Sequence, residues 1–428
     1  MSKLAPLALV SVLVCLASFG FFGKTGKAAS TATPTPADAQ TQNVVAATTA
    51  FLNSLTTTQH ERVQFAFTAE KTATAAKFSR AAMGGKQGGP GGGGPANGPG
   101  NDSAMRRANP AQQPRPRPGN GRGTEGGHRG GPGMGPPGGF VGEQYGQAVW
   151  SNYPVSDVPR PGLALGNLSI AQRDAAMHLL QVALSSKGYQ KILDIMGSDE
   201  ALSKTGTPYC SGTACYTIGI FGQPSTTKPW MLEFGGHHLG LNLTMAGEHG
   251  VITPTLTGAQ PAVYTSNGKT VRVLAEENDK AFALLNALDE SERKQAILNY
   301  RVDDLVTGPG HAGETIQPEG LKAAAMNEKQ RAMLLDVISE WAGIINDAYA
   351  TPRMAEIKAG LDETYFAWSG PTTHEPGRNG TSYYRIQGPK LMIEFSPQGV
   401  GGDPTMHVHT MYRDPTNDYG RAFTNNSN

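Results

Sequence analysis

Four of the chain's ten histidines fall in two short segments, His237 and His238 in WMLEFGGHHLGLNLT and His407 and His409 in PTMHVHTMYRDPTNDYG. A neutral imidazole is the commonest protein ligand for a transition metal, and side chains at i and i+2 on a strand leave from one face. His407 and His409 can therefore grip a single ion. In the first segment, alternation puts Leu239, Leu241 and Leu243 on the face of His237, and Asn242 and Thr244 on that of His238. His238 is the better candidate for a polar site and His237 for a core histidine, unless a bulge at Gly235 and Gly236 brings both to bear. In KLMIEF, Glu394 opposes Leu391, Ile393 and Phe395 and so points away from the apolar face. A hairpin through QGVGGDPT would carry it toward the His407 strand. Two or three histidines with one carboxylate form the ligand set of many metal sites. The cofactor expected on His237, His238, Glu394, His407 and His409 is a divalent transition metal: zinc, iron, manganese or copper. The plainer alternative is a hydrogen-bonded polar sheet face with no ion.

Arg413 falls on the strand face of His409, where it could hold a substrate carboxylate or a developing negative charge, and Asp414 could orient a ligating histidine from behind. An ion pair fixing the chain end is the competing reading of both. Glu248 and His249, in the turn AGEHG, are acid–base candidates or surface groups, whereas His60 and His178 read as surface or packing residues. No Gly-x-Ser-x-Gly elbow, His-Glu-x-x-His helix, P-loop or dinucleotide fingerprint is present.

These residues need a scaffold of strands and helices. Ser169 reads as the N-cap of a helix burying Ala171, Ala175, Leu179, Val182 and Leu184, with Gly188 as its stop. CYTIGIFG and WMLEFGGHHLGLNLTMAG read as strands, VITPTLTGAQPAVYTSNGKTVRVLAEEND as a loop followed by a strand, and the stretch from DKAFALL to LDET as three helices. TSYYRIQGPKLMIEFSP and MHVHTMYRD supply the last strands. The expected class is α+β: a mixed or antiparallel sheet packed with helices in a single main domain.

Residues 1–30 combine Lys3, a long apolar run and small residues before Ser30, which predicts an export signal, with a retained anchor as the alternative. Residues 31–80 add a helix and a strand to the folded domain, 81–139 form a Gly/Pro-rich insert too poor in large apolar side chains to fold, and 140–428 hold the main domain. Export implies a periplasmic or extracellular protein, with no stable membrane span once the signal is cleaved. In an oxidising compartment Cys210 and Cys215 are expected to pair as a disulfide, the alternatives being a metal–thiolate pair or two inert thiols. The formal net charge of +1 argues against a nucleic-acid partner and leaves a small molecule as the expected substrate or ligand.

The ordered run NYP, RPGLALGNLSIAQR, WMLEFGGHHLGLNLT, FAWSG, YYRIQGPKLMIEF and HVHTMYRDPTNDYG resembles a bacterial family catalogued as domain of unknown function 3500. The resemblance implies that His237, His238, Glu394, Gln398, His407, His409, Arg413 and Asp414 belong to one recurring constellation, with Arg413, Asp414 and Gln398 as candidate catalytic groups. Two departures stand out, the insert and Gly235, which occupies a position where the family often has an acid. The expectation is an exported metal-dependent enzyme, with hydrolysis favoured over oxidation. The alternative is a non-enzymatic protein that binds metal or a small ligand.

Overall fold

The computed structural model describes residues 35–78 and 139–424. The segment read as an export signal and nearly all of the Gly/Pro-rich stretch lie outside them.

Helix starts are written locally. Thr35, Thr56, Ser169, Asp289 and Asn327 each accept a hydrogen bond from the amide three residues on, while Asp38, Gln59, Gln172, Glu292 and Gln330 reach back to the cap's own N–H. Each such box satisfies two amides that the helix leaves unpaired. The helices are α1 (Pro36–Asn53), α2 (Thr57–Val63), α3 (Ile170–Ala183), α4 (Ser186–Ser203), α5 (Ala275–Ala287), α6 (Glu290–Ala296), α7 (Glu328–Ala342) and α8 (Asp347–Ala359). Gly188 does not stop the helix that Ser169 begins. It lies in the first turn of α4, where a Cβ would come within 2.1 Å of the Ile344 carbonyl, so its role is close packing. No helix among the described residues is long and apolar enough to cross a membrane.

The strands are β1 (Gln64–Phe65), β2 (Thr74–Phe78), β3 (Phe140–Tyr145), β4 (Ala148–Trp150), β5 (Leu163–Ala164), β6 (Thr217–Phe221), β7 (Trp230–Gly235), β8 (Leu239–Ala246), β9 (His249–Val251), β10 (Thr255–Ala259), β11 (Val263–Ser266), β12 (Lys269–Arg272), β13 (Leu321–Lys322), β14 (Tyr365–Ser369), β15 (Tyr383–Gly388), β16 (Leu391–Pro397) and β17 (Val408–Arg413). The main sheet runs β1-β6-β7-β8-β10-β17-β16-β15-β14-β13, with β5 paired to β6 and β9 to β8. Its pairings are antiparallel except β1 with β6, so the class is α+β with a mixed sheet. The segment TPTLTGA, expected as loop, forms the central strand β10. Pro254 and Gly258 weaken its local strand signal, and its stability comes from partners on both sides.

The strand order contains a duplication. Gly162 and Leu163 open one half and Gly320 and Leu321 the other; the two glycines have φ of +101° and +97°, and a Cβ on them would meet the Ile218 and Phe366 carbonyls at 2.1 and 2.2 Å. Leu163 then pairs with Ile218 and Leu321 with Phe366. The capping boxes of α3 and α7 follow, and Leu165 and Ala323 each donate at 2.7 Å to the carbonyls of Tyr216 and Thr364. Gln64 pairs in parallel with Ile220 as Ile297 does with Trp368. The halves join through the antiparallel β10–β17 pair and the Leu184–Ile345 bridge, the arrangement an approximate two-fold axis requires.

One face of the sheet packs on the helices, and along β17 it is Val408 and Tyr412 that enter this core. His409, Met411 and Arg413 alternate to the other face. There Trp150 and Leu305 cover Leu256 and Met411 in a small apolar cluster, the cover coming from β4 and from the segment after α6. The disulfide between Cys210 and Cys215 lies in the segment leading into β6.

Candidate metal centre

The β7–β8 turn, closed by the Gly236 amide donating to the Leu239 carbonyl at 2.9 Å, carries His237 and His238. Arg160 supports this turn from below: its buried guanidinium donates to the carbonyls of Ser151, Tyr153 and Gly236 at 2.8, 2.7 and 3.3 Å. On the far side of β10, β17 presents His409, and His407 immediately precedes the strand. Between them lies Gly258, the residue paired with His409, where a Cβ would stand 3.1 Å from His409 Cδ2 and 3.3 Å from His238 Cδ2. The bare glycine makes room for the imidazoles to meet.

They meet through their Nε2 atoms. His238 Nε2 lies 3.3 Å from His407 Nε2, and His407 Nε2 lies 3.1 Å from His409 Nε2. Ligand atoms of the three all fall within 4.8 Å of one another. Nitrogens bound tetrahedrally at about 2.0–2.1 Å from zinc stand roughly 3.3 Å apart, so the spacing fits an ion of that size. All three rings are nearly closed off: His238 is fully buried, and His407 and His409 are each 5% exposed.

The far side of each ring determines what its Nε2 can do. His238 Nδ1 faces Asp199 Oδ1 at 2.5 Å, and the other Asp199 oxygen accepts the Tyr216 hydroxyl at 2.7 Å and the His238 amide at 3.3 Å. His407 Nδ1 faces the Val400 carbonyl at 2.8 Å. A carboxylate and a carbonyl only accept, so both Nδ1 atoms carry the proton and, in the neutral rings, both Nε2 atoms are bare acceptors. With both rings neutral, two lone pairs face one another at 3.3 Å inside the protein. His409 can offer one of them a proton; a cation satisfies all three. Burial, followed by the neighbouring His238, lowers His407 to about 3, and burial with the adjacent imidazoles holds His409 and His237 well below the ordinary histidine range. These rings are therefore available as neutral ligands.

His237 packs against His238 at 3.8 Å between centroids, the rings tilted by 33°, with Tyr209 edge-on at 5.3 Å. It shares a second potential ligand group with Asp199 and His238. Because Asp199 is already in direct contact with His238 Nδ1, that group is better described as a carboxylate orienting a ligand. Asp199 was missed in the sequence, although one signal was present: it continues the buried stripe Ile192, Ile195, Met196 and Leu202 of α4, where an acid needs a partner.

Glu394 does not reach the imidazoles. It shares their face but pairs with Met411, two residues beyond His409, and its oxygens accept the Val306 and Thr307 amides and the Tyr383 hydroxyl at 2.8, 2.8 and 2.7 Å, together with the Thr307 hydroxyl. It anchors the covering segment. Arg413 spends all five donors inside the protein: on Glu143 at 3.1 and 2.5 Å, on Asp418 at 3.0 Å, and on the Thr307 and Gly308 carbonyls at 2.7 and 2.8 Å. No N–H remains for a substrate, and its acidic partners are Glu143 and Asp418, not Asp414. Asp414 turns away to Arg353 at 2.9 Å and to the Thr416 hydroxyl at 2.7 Å. Gln398 adjoins the centre by its backbone, donating to the His407 carbonyl at 2.8 Å, while its side chain donates to Asp304 at 3.0 Å.

A sequence-family profile described as a protein of unknown function, DUF3500, matches residues 142–421. The chain belongs to this family. No curated protein and no solved structure matches it. In this DUF3500 protein the profile spans every residue of the imidazole cluster and its Asp199 support, but starts after α1, α2 and β1, which complete the first half of the duplication.

Proposed function

We propose that this DUF3500 protein is an exported metal-dependent enzyme whose ion rests on His238, His407 and His409 and acts on a bound water, with hydrolysis as the reaction class. The observation that carries the reading is the convergence of the His238 and His407 Nε2 atoms at 3.3 Å, each ring fixed from behind through Nδ1 by Asp199 or Val400. Three neutral ligands leave a divalent ion's charge undiminished, which is the condition for strongly acidifying a bound water at a fourth position. Zinc matches this donor set and spacing best, and copper is the nearest competitor, since imidazole suits both. Export is supported by the Cys210–Cys215 disulfide. The near-complete burial of the rings favours the alternative of a closed, non-enzymatic metal-binding protein.

The test is to express residues from Ser30 onward, purify them without chelator or nickel affinity, and measure bound metal by inductively coupled plasma mass spectrometry beside the His407→Ala/His409→Ala double variant. Near-stoichiometric metal that the folded variant lacks supports the centre. A folded wild type that stays metal-free after incubation with zinc, copper, iron and manganese sinks it. With metal present, turnover of a panel of chromogenic esters and phosphoesters, abolished by chelation and restored by the ion, separates the enzyme from the closed binder.

A further inference from the structure

A cavity of about 320 Å³ lies away from the imidazoles, on the helix side of the sheet, where α8, β9 and the end of β17 meet. Its volume is at the small end of the range for ligand sites. Apolar and aromatic walls come from Ile252, Ile345, Tyr349 and Tyr412, and its rim is closed by His249 stacked on Phe423 at 4.0 Å and 8°. Three acids line it: Glu248, Glu356 and Asp414.

Among the described lining residues Arg353 is the one lysine or arginine, and it already makes four contacts: to the Tyr412 hydroxyl at 3.2 Å, to Glu356 and Asp414 at 2.5 and 2.9 Å, and to the Lys390 carbonyl at 2.5 Å. An anionic ligand would have to compete with Glu356 and Asp414 for this cation. Among the described residues Glu248 forms no salt bridge, and Thr253 Oγ1, in a residue only 2% exposed, has no hydrogen-bond partner. The Thr253 hydroxyl is closed off behind the wall, so the exposed Glu248 carboxylate is the polar group a ligand meets first.

We propose that this cavity binds a small amine: an apolar or aromatic body against Tyr349, Tyr412 and Ile345, with its ammonium group toward Glu248. Aromatic walls with a net negative rim are the chemistry that recognises a cation carrying apolar surface. The site is independent of the metal and lies on the opposite face of β17 from His409.

The test is isothermal titration calorimetry on the chain from Ser30 onward with phenethylamine, phenethyl alcohol and phenylacetate, probes sharing one skeleton. The amine should bind and phenylacetate should be weaker by about tenfold or more. Glu248→Gln, a change at an exposed position, should weaken the amine by about three- to tenfold and leave the alcohol unchanged, in keeping with a partly shielded charge pair. Thr253→Val, which keeps side-chain volume behind the wall, should leave both unchanged. The proposal is overturned if no probe binds, if phenylacetate equals the amine, or if amine binding ignores Glu248→Gln while the variant's melting temperature matches the wild type.

Discussion

Replacing Asp199 by Asn tests the metal centre without touching a ligand. The carboxylate accepts three hydrogen bonds, from His238 Nδ1, the His238 amide and the Tyr216 hydroxyl, and is fully buried. An amide of the same shape supplies only one oxygen. If that oxygen keeps the Nδ1 proton, the new NH2 group faces the His238 amide as donor to donor; if the amide turns over, it faces Nδ1, and the ring must move its proton to Nε2, where it blocks the ion. Either outcome weakens the ligand's orientation and removes the negative charge that makes it a better base. Supports of this kind are worth about 10–100-fold in metal affinity, or roughly 1.4–2.7 kcal/mol. The assay is zinc titration against a competing chromophoric chelator at neutral pH, with melting temperatures of the metal-free proteins as the fold control. A folded Asp199→Asn protein that holds zinc within about twofold of wild type would refute the assignment of Asp199 as the support of His238.

Gly258→Ala should push the ligands apart, because the new methyl would stand 2.7 Å from the Val408 carbonyl as well as against both rings. We expect about 1–3 kcal/mol of destabilisation by denaturant unfolding, with a larger relative loss of metal per folded molecule. Arg413→Ala leaves Glu143 and Asp418 buried without their cation and should destabilise by about 3–5 kcal/mol, while folded protein at low temperature keeps its metal content. Metal loss in folded Arg413→Ala would argue against a purely structural role. Glu340 gives a pH signature remote from the centre. Burial would raise its carboxyl, but Lys191 and the hydrogen bonds from Lys187 and Lys280 outweigh that and pull it down to about 2 from 4.5. A depressed acid contributes its stability above the unfolded value and loses it as pH falls from about 4.5 through about 2. Denaturation midpoints of wild type and Glu340→Gln should therefore differ most at neutral pH and converge in acid.

Local chemistry was legible wherever one short segment determined it. The capping box of Ser169 and Gln172, the alternation that separates His238 from Leu239, and the hairpin that brings β16 to β17 all follow from residues a few positions apart. Glu394 shows where such logic ends. Alternation assigns it to the correct face, but two residues along a strand are about 6.6 Å, and the Val306 and Thr307 amides, remote in sequence, claim the carboxylate first. Asp199 is the converse: it is separated from His238 by 39 positions, and only the docking of α4 on the sheet joins them.

The duplication was written in the sequence as well, in the paired blocks GLALGNLSIAQR and GLKAAAMNEKQR, each a left-handed glycine, a short strand and a capping box at the same spacing. Its significance for the centre lies in its breakdown. Both halves supply a hairpin to the middle of the sheet, yet the histidine turn stands between β7 and β8 in the first half and the histidine pair at the start of β17 in the second. A ligand set built on equivalent positions would give two sites or one site on the axis. Here one half contributes His238 with its helix-borne acid, and the other contributes His407 and His409. The imidazole cluster can form only when both halves are packed across β10 and β17, so metal binding should report assembly of the whole sheet. In a chain expressed as two separate halves, neither should hold zinc at wild-type affinity, and mixing them should restore binding only where the β10–β17 pairing re-forms.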